Sequence, residues 1–273
     1  MTTLRELLDT IETLWPASGA EAWDAVGLFS GDPEAEVGRV LLAVDAVSDT
    51  VDEAIEVDAQ LLIAHHPLLL RGVTTVAEST YKGSVLARLI RAGCGLVAAH
   101  TNADVVERGT SGELARLLGL ENVAPIVPGT DDPHAGLGRV GELPEPTTLG
   151  RLAGALARIL PATATGIRVA GDYDAEVRRI AVCGGAGDSL LSHPAVTSAD
   201  VYITSDLRHH PASESVEQAR TKGSGPFLID TSHWASEWLW LDAAAEQLRA
   251  AHPELDVIVS ERNTDPWTFA VPQ

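Results

Sequence analysis

The chain has 273 residues, 45% hydrophobic and 21% charged, enough to bury the core of one large or two moderate domains. Its 39 acidic residues against 19 basic ones give a formal net charge of -20; that field repels polyanions, and without a local Lys/Arg cluster it argues against nucleic acid as a partner. The acid-containing start Leu4-Arg5-Glu6-Leu7-Leu8-Asp9-Thr10-Ile11 is neither a signal peptide nor a transit peptide, and no apolar run approaches the ~18 residues of a membrane span, so a cytoplasmic protein with no membrane association is expected.

In chain order, Leu4, Leu7, Leu8, Ile11 and Leu14 share one helical face and predict a first helix ending at Pro16. Val40-Leu41-Leu42-Ala43-Val44 reads as a buried strand running into Asp45, followed by a helix from about Ser48. Leu61-Leu62-Ile63-Ala64 is a second strand, then a helix from about Gly83 to Ala92, then a strand Gly95–Ala99. Strands alternating with helices predict an α/β fold with mixed, largely parallel sheets, and ligand sites beyond the carboxyl ends of the strands. A Gly- and Pro-rich stretch, Pro125 to Pro146, marks an expected domain border. A helix Leu241–Ala251 and a strand Asp256–Ser260 are expected to return to the first half, giving a first domain of 1–125 plus about 238–273 and a second of 126–237.

The second half resembles the first. Arg39-Val40-Leu41-Leu42-Ala43 recurs in character as Arg179-Ile180-Ala181-Val182-Cys183, and Leu61-Leu62-Ile63-Ala64 as Val201-Tyr202-Ile203-Thr204, at the same displacement. His100…Asp104 is matched by His233…Glu237 at a slightly shorter one. This predicts two related, intertwined α/β repeats facing one another, with a site built from both. Cys94 and Cys183 each lie inside an apolar run and read as buried free thiols in a reducing compartment.

Three segments carry paired metal-type ligands, each after an apolar run: His65-His66-Pro67, His100-Thr101-Asn102-Ala103-Asp104, and His233-Trp234-Ala235-Ser236-Glu237. If a helical turn starts at each His, the i and i+4 side chains of the last two stack on one face and can hold an ion together. Imidazole with carboxylate suits zinc, iron, manganese, cobalt or nickel, and the donors exceed what one tetrahedral ion needs, so two divalent ions per chain are expected. Adjacent side chains diverge, which assigns His65 and His66 to different ions. Asp206, His209 and His210 form a second acid–imidazole cluster after a strand, read either as a capped helix start or as a substrate-contact and proton-transfer group. Gly184-Gly185-Ala186-Gly187 lacks the spacing of a dinucleotide or phosphate loop and reads as a tight turn.

These segments, together with Trp23-Asp24-Ala25-Val26-Gly27-Leu28 and Gly136-Leu137-Gly138-Arg139-Val140-Gly141, resemble the Nif-three-like family of dinuclear-metal proteins labelled "GTP cyclohydrolase 1 type 2 homolog", over nearly the whole chain. The resemblance implies metal ligands at His65, His66, Asp104, His233 and Glu237, with Asp104 bridging and Glu237 bridging or capping. The residues themselves leave His100 either as a group that orients Asp104 or shuttles a proton, or as simple packing, with Asp206 and His210 as further catalytic candidates. The resemblance also implies a ring-shaped homohexamer acting on a small molecule, a nucleotide among the options. Ala25 stands where many relatives have Asn, and Ser205 where Gly is usual, departures that bear on substrate rather than metal. The implied chemistry is metal-dependent hydrolysis through a water bridging ions about 3.5–4 Å apart. The alternatives are a non-enzymatic metal-binding ring and a nucleotide-binding regulator.

Overall fold

The structure is a computed structural model that describes residues 2–129 and 132–271. Two compact units divide the chain after Ala103 and after Trp240: residues 1–103 with 241–264, and residues 104–240 with 265–273.

In the first unit the helix Leu4–Leu14 is started by Thr3, whose side chain and that of Glu6 close a capping box, and it buries Leu4, Leu7 and Ile11. A five-stranded sheet follows, in the order Asp256–Val259, Arg39–Ala43, Leu61–Ala64, Gly95–Ala98, Gly27–Ser30. The first four strands are mutually parallel and the last is antiparallel to its neighbour. Leu61–Ala64 and Gly95–Ala98 are buried at every position, which is why they read as continuous apolar runs. The helices Ser48–Glu56 and Tyr81–Ala92 make the parallel crossovers. Leu41, Leu62, Leu89 and Leu96 lie in the core of this unit. The edge strand Asp256–Val259 pairs with Arg39–Ala43, from Asp256 opposite Arg39 to Val259 opposite Leu42.

The second unit holds a six-stranded sheet, in the order Arg168–Ala170, Phe227–Thr231, Val201–Ser205, Glu176–Ala186, Arg139–Thr148, Glu121–Ala124. Two of its pairings, which join three parallel strands, repeat those of the first unit. Val40 faces Leu61 across one parallel pair, and Ile180 faces Val201 across the other, each residue displaced by 140 positions (40 to 180, 61 to 201). In each unit the third parallel strand is then flanked by an antiparallel one. The internal repeat is therefore structural: the same three parallel strands occur twice in the same register.

The Gly- and Pro-rich stretch is not bare connection. It supplies the strand Arg139–Thr148, and the pairing of that strand shifts register between Glu142 and Thr147, where Pro144 and Pro146 have no N–H to give. The helix Thr110–Leu117 packs on Glu176–Ala186. The helix expected from Leu241 begins at His233 and runs to Ala251. Its first two turns bury Trp234, Ala235, Leu239 and Trp240, so apolar residues surround it and no single stripe announces its start. No helix among the described residues is long and apolar enough to cross a membrane.

Candidate functional site

The first group of donors sits at the carboxyl ends of parallel strands in the first unit. His65 and His66 directly follow Leu61–Ala64, and their backbone N–H groups continue its ladder by donating to Ala43 O at 2.9 Å and Val44 O at 2.8 Å. His100 follows Gly95–Ala98 at one residue's remove, and stands just before the helix Thr101–Val105 rather than within it. The ligand-type atoms of His65, His66 and His100 all lie within 4.8 Å of one another, and the ring centroids are 5.2–5.5 Å apart.

What orients the three rings was not legible from the ligand motifs. In each ring Nδ1 meets an atom that can only accept: Ala99 O at 2.9 Å from His65, Asp45 Oδ1 at 2.7 Å from His66, and Asp24 Oδ1 at 2.8 Å from His100. The proton of each neutral imidazole therefore sits on Nδ1, and Nε2 carries the lone pair. That is the tautomer a metal takes, and acceptors behind Nδ1 are the usual outer support of metal-binding histidines.

Asp45 and Asp24 are the residues that sequence reasoning missed. Asp45 ends the first buried strand and also receives the Thr264 hydroxyl at 2.5 Å. Asp24 has a fully buried side chain. Burial would raise its pKa, yet the carboxyl lies below its ordinary value because His100, Thr101 and the Ala25 N–H all donate to it. A polar residue at the carboxyl end of a strand was the available signal for Asp45. For Asp24 the signal was only its place inside a family motif.

The second group is assembled in the second unit around Gly185. His233 opens the helix His233–Ala251, so His233 and Glu237 stack one turn apart as the spacing predicts, with Nε2 2.9 Å from Glu237 Oε1. On its other side His233 Nδ1 is 2.8 Å from Asp206 Oδ2. Flanked by two carboxylates, chiefly the 3% exposed Glu237, His233 is pushed up to about 11 despite burial. Asp206 follows Val201–Ser205 and takes a left-handed φ of 56°, a conformation that Asp tolerates better than most residues. It does not cap the next helix, which is preceded by Arg208.

Asp104 reaches the same turn through one intermediary. Its Oδ1 accepts from the Thr110 hydroxyl at 2.5 Å, and Thr110 packs against Gly184, where an added Cβ would come within 3.1 Å of it. The buried Cys183 next in line feels both Asp104 and Glu237. Gly185 itself adopts a φ of +68° and donates its N–H to Ser236 Oγ at 3.0 Å. The glycine run is thus a turn, and its smallness lets the backbone lie against His233 and Glu237. His210, exposed in the first turn of His209–Lys222, is not brought into this group; its ring meets that of His209 edge-on at 5.2 Å.

The Duf34/NIF3 (NGG1p interacting factor 3) profile matches residues 2–266 of the chain. The chain belongs to this family. Within it, the chain is 50% identical over 278 aligned residues to the "GTP cyclohydrolase 1 type 2 homolog" of Streptomyces coelicolor, spanning 99% of this chain and 95% of that protein. Its structure is similar to that of the Staphylococcus aureus hypothetical protein SA1388, with a TM-score of 0.86, 29% identity and coverage of 98% and 99% of the two chains. A Bacillus cereus protein related to NIF3 shares the fold at 22% identity, also with a TM-score of 0.86. Duf34/NIF3 membership and the mixed α/β architecture thus agree with the resemblance read from the motifs, and the clustered His and Glu side chains form potential metal sites.

Proposed function

We propose that this Duf34/NIF3 protein binds two divalent transition-metal ions per chain and uses them in a metal-dependent hydrolysis. His65 and His66 serve as ligands in the first unit, and Asp104, His233 and Glu237 in the second. The observation that carries this reading is the tautomer: three imidazoles gathered within 4.8 Å, each with Nδ1 held by an acceptor. Packing alone gives no reason to orient three histidines alike, whereas lone pairs gathered in this way fit a borderline cation. The Glu237 carboxylate, 3% exposed beside His233, is the kind of buried charge that a cation compensates.

Divalent ions, when bound, would supply Lewis acidity, polarising an electrophile and making water a stronger acid near neutral pH. The remaining roles fall to side chains. Asp45 and Asp24 keep His66 and His100 in one tautomer. Asp206 aims His233. His100, with Asp24 behind Nδ1, has the arrangement of an imidazole that holds a proton for transfer. His210, exposed on its helix, is proposed only as a contact for an incoming substrate. A phosphoester or a cyclic amidine of nucleotide type fits such chemistry, and the name carried by curated relatives points to the second. The assembly proposed with this reading is a homohexamer in the cytoplasm; two buried, unpaired cysteines suit a reducing compartment.

Elemental analysis by plasma mass spectrometry tests the ligand assignment. The expected result is about two transition-metal ions per chain in the wild type, about one in His65→Ala or Glu237→Ala, and none in the double variant. Wild-type protein that takes up no stoichiometric metal after reconstitution with zinc, iron or manganese rejects the reading. Turnover of a nucleotide panel by reconstituted protein, lost in Asp104→Ala, tests the hydrolysis; metal uptake without turnover would leave a binding protein. Light scattering tests the assembly, and a mass near the 28.7 kDa of one chain would reject it.

A further inference from the structure

The second unit contains a cavity of about 440 Å³, none of whose lining residues belongs to the group around Gly185. That volume is in the range small ligands occupy. Its walls combine apolar side chains with Glu107, Arg108, Glu113, Arg116, His134 and Arg139.

Arg139 is the unusual member. It is 2% exposed, a burial that arginine rarely reaches without an acidic partner. Its terminal amino groups are held by backbone carbonyls: Nη1 donates to Gly136 O at 2.6 Å and Gly138 O at 2.7 Å, and Nη2 to Val106 O at 2.6 Å and Val105 O at 3.3 Å. Four carbonyl dipoles fix the plane of the guanidinium but bring no formal negative charge. Burial pushes its pKa down, against the pull of Glu107 and Asp132 at longer range. Asp132 is outside the lining and accepts the backbone N–H of His134 at 2.8 Å.

The other lining charges are shared economically. Glu113, also 2% exposed, receives Arg108 Nε on one oxygen at 3.1 Å and Arg116 Nε on the other at 2.7 Å. One carboxylate thus serves two guanidiniums, and both bonds use Nε rather than the terminal fork. Among the described lining residues, three guanidiniums stand against two carboxylates, in a chain whose formal charge is -20. A partly apolar cavity whose lining holds one more guanidinium than carboxylates favours negative ligands over cations, unlike the rest of so acidic a protein. The planar fork of Arg116, whose Nε alone is used by Glu113, selects among those for oxyanions.

We propose that this cavity binds a small molecule through an oxyanion, a phosphate or a carboxylate, held by the terminal fork of Arg116, with the buried positive charge of Arg139 acting behind it at longer range. The site is separate from the metal donors and does not depend on their assignment.

The test is isothermal titration of metal-stripped, dialysed full-length protein with inorganic phosphate and, separately, with citrate at constant ionic strength, using sodium chloride as the blank. Arg139 ties four backbone carbonyls, so its replacement would unsettle the fold. Arg116, with its side chain 61% exposed, carries the test instead, as Arg116→Gln and Arg116→Glu, with folding checked by circular dichroism. The expected result is saturable binding of one anion per chain, weakened roughly tenfold or more in the Arg116 variants by loss of a charge-assisted contact, and unchanged in His233→Ala. The tighter of the two probes identifies the head group. Binding of neither probe above the chloride blank overturns the proposal. So does binding that survives in Arg116→Glu, or that disappears in His233→Ala, since it would then belong to the metal donors.

Discussion

The backbone of Gly185 lies so close to Glu237 that a Cβ at this position would collide with the carboxylate and stand 3.3 Å from His233 Nε2. A side chain is also disfavoured there by the φ of +68°. Gly185→Ala is therefore expected to cost about 1 kcal/mol in backbone strain alone, and to displace Glu237 from His233. Calorimetry should show a lower Tm, and titration with zinc should show the ion at Glu237 weakened while the ion at His65 is retained. A variant with wild-type Tm and metal affinity would mean that the close approach has no consequence.

Asp45→Asn keeps an oxygen near His66 but removes the charge behind its Nδ1. On the tautomer argument, affinity for the ion at His66 should fall roughly 10- to 100-fold, with a smaller effect on Tm because the contact is partly open to solvent. Competition with a fluorescent chelator measures this. Equal affinity in the variant would show that His66 is oriented by packing rather than by Asp45.

Both cysteines should be silent in the native protein. Burial pushes each thiol up to about 12, so at pH 8 neither accessibility nor thiolate favours attack. A disulfide reagent is expected to titrate no thiol in the folded protein and two after denaturation in guanidinium. The sign for stability follows. A thiol whose folded pKa is raised contributes stability below its ordinary value near 9, and that contribution is lost as pH climbs towards 12. One readily titrated thiol in native protein at pH 8 would contradict this burial.

Removing the chain after His252 takes away the strand Asp256–Val259 and leaves Arg39–Ala43 as the sheet edge. Val40 and Leu42, both 0% exposed, lie on that edge. Exposed apolar edges pair with other chains, so the truncated protein should aggregate or unfold at a markedly lower temperature. Soluble truncated protein with an unchanged Tm would show the strand to be dispensable.

Much of the fold was legible because buried parallel strands leave an unmistakable mark. Leu61–Ala64 and Gly95–Ala98 are apolar at every position since both faces are covered, and the repeat was visible because the same burial was demanded twice. The helix at His233 was harder. Its opening turns are enclosed, so hydrophobicity carried no period there, and only the His-x-x-x-Glu spacing betrayed it. The pair His100 and Asp104 has the same spacing but a different local structure, with His100 outside the helix, because Asp24 holds its ring and Thr101 starts the helical turn.

By itself, then, the sequence determined the family, the α/β class, the doubled strand pattern and the chemical character of the donors, since these depend on residue type and on local periods of two and 3.6. Tertiary structure alone decided which nitrogen each imidazole presents, that Asp45 and Asp24 stand behind the rings, that Gly185 must be small, and that Arg139 is buried among carbonyls. Each of those depends on groups many positions apart in the chain, such as Asp24 and His100, or Gly185 and Glu237. Side-chain orientation is set by the partners that folding brings together, and no local pattern records it.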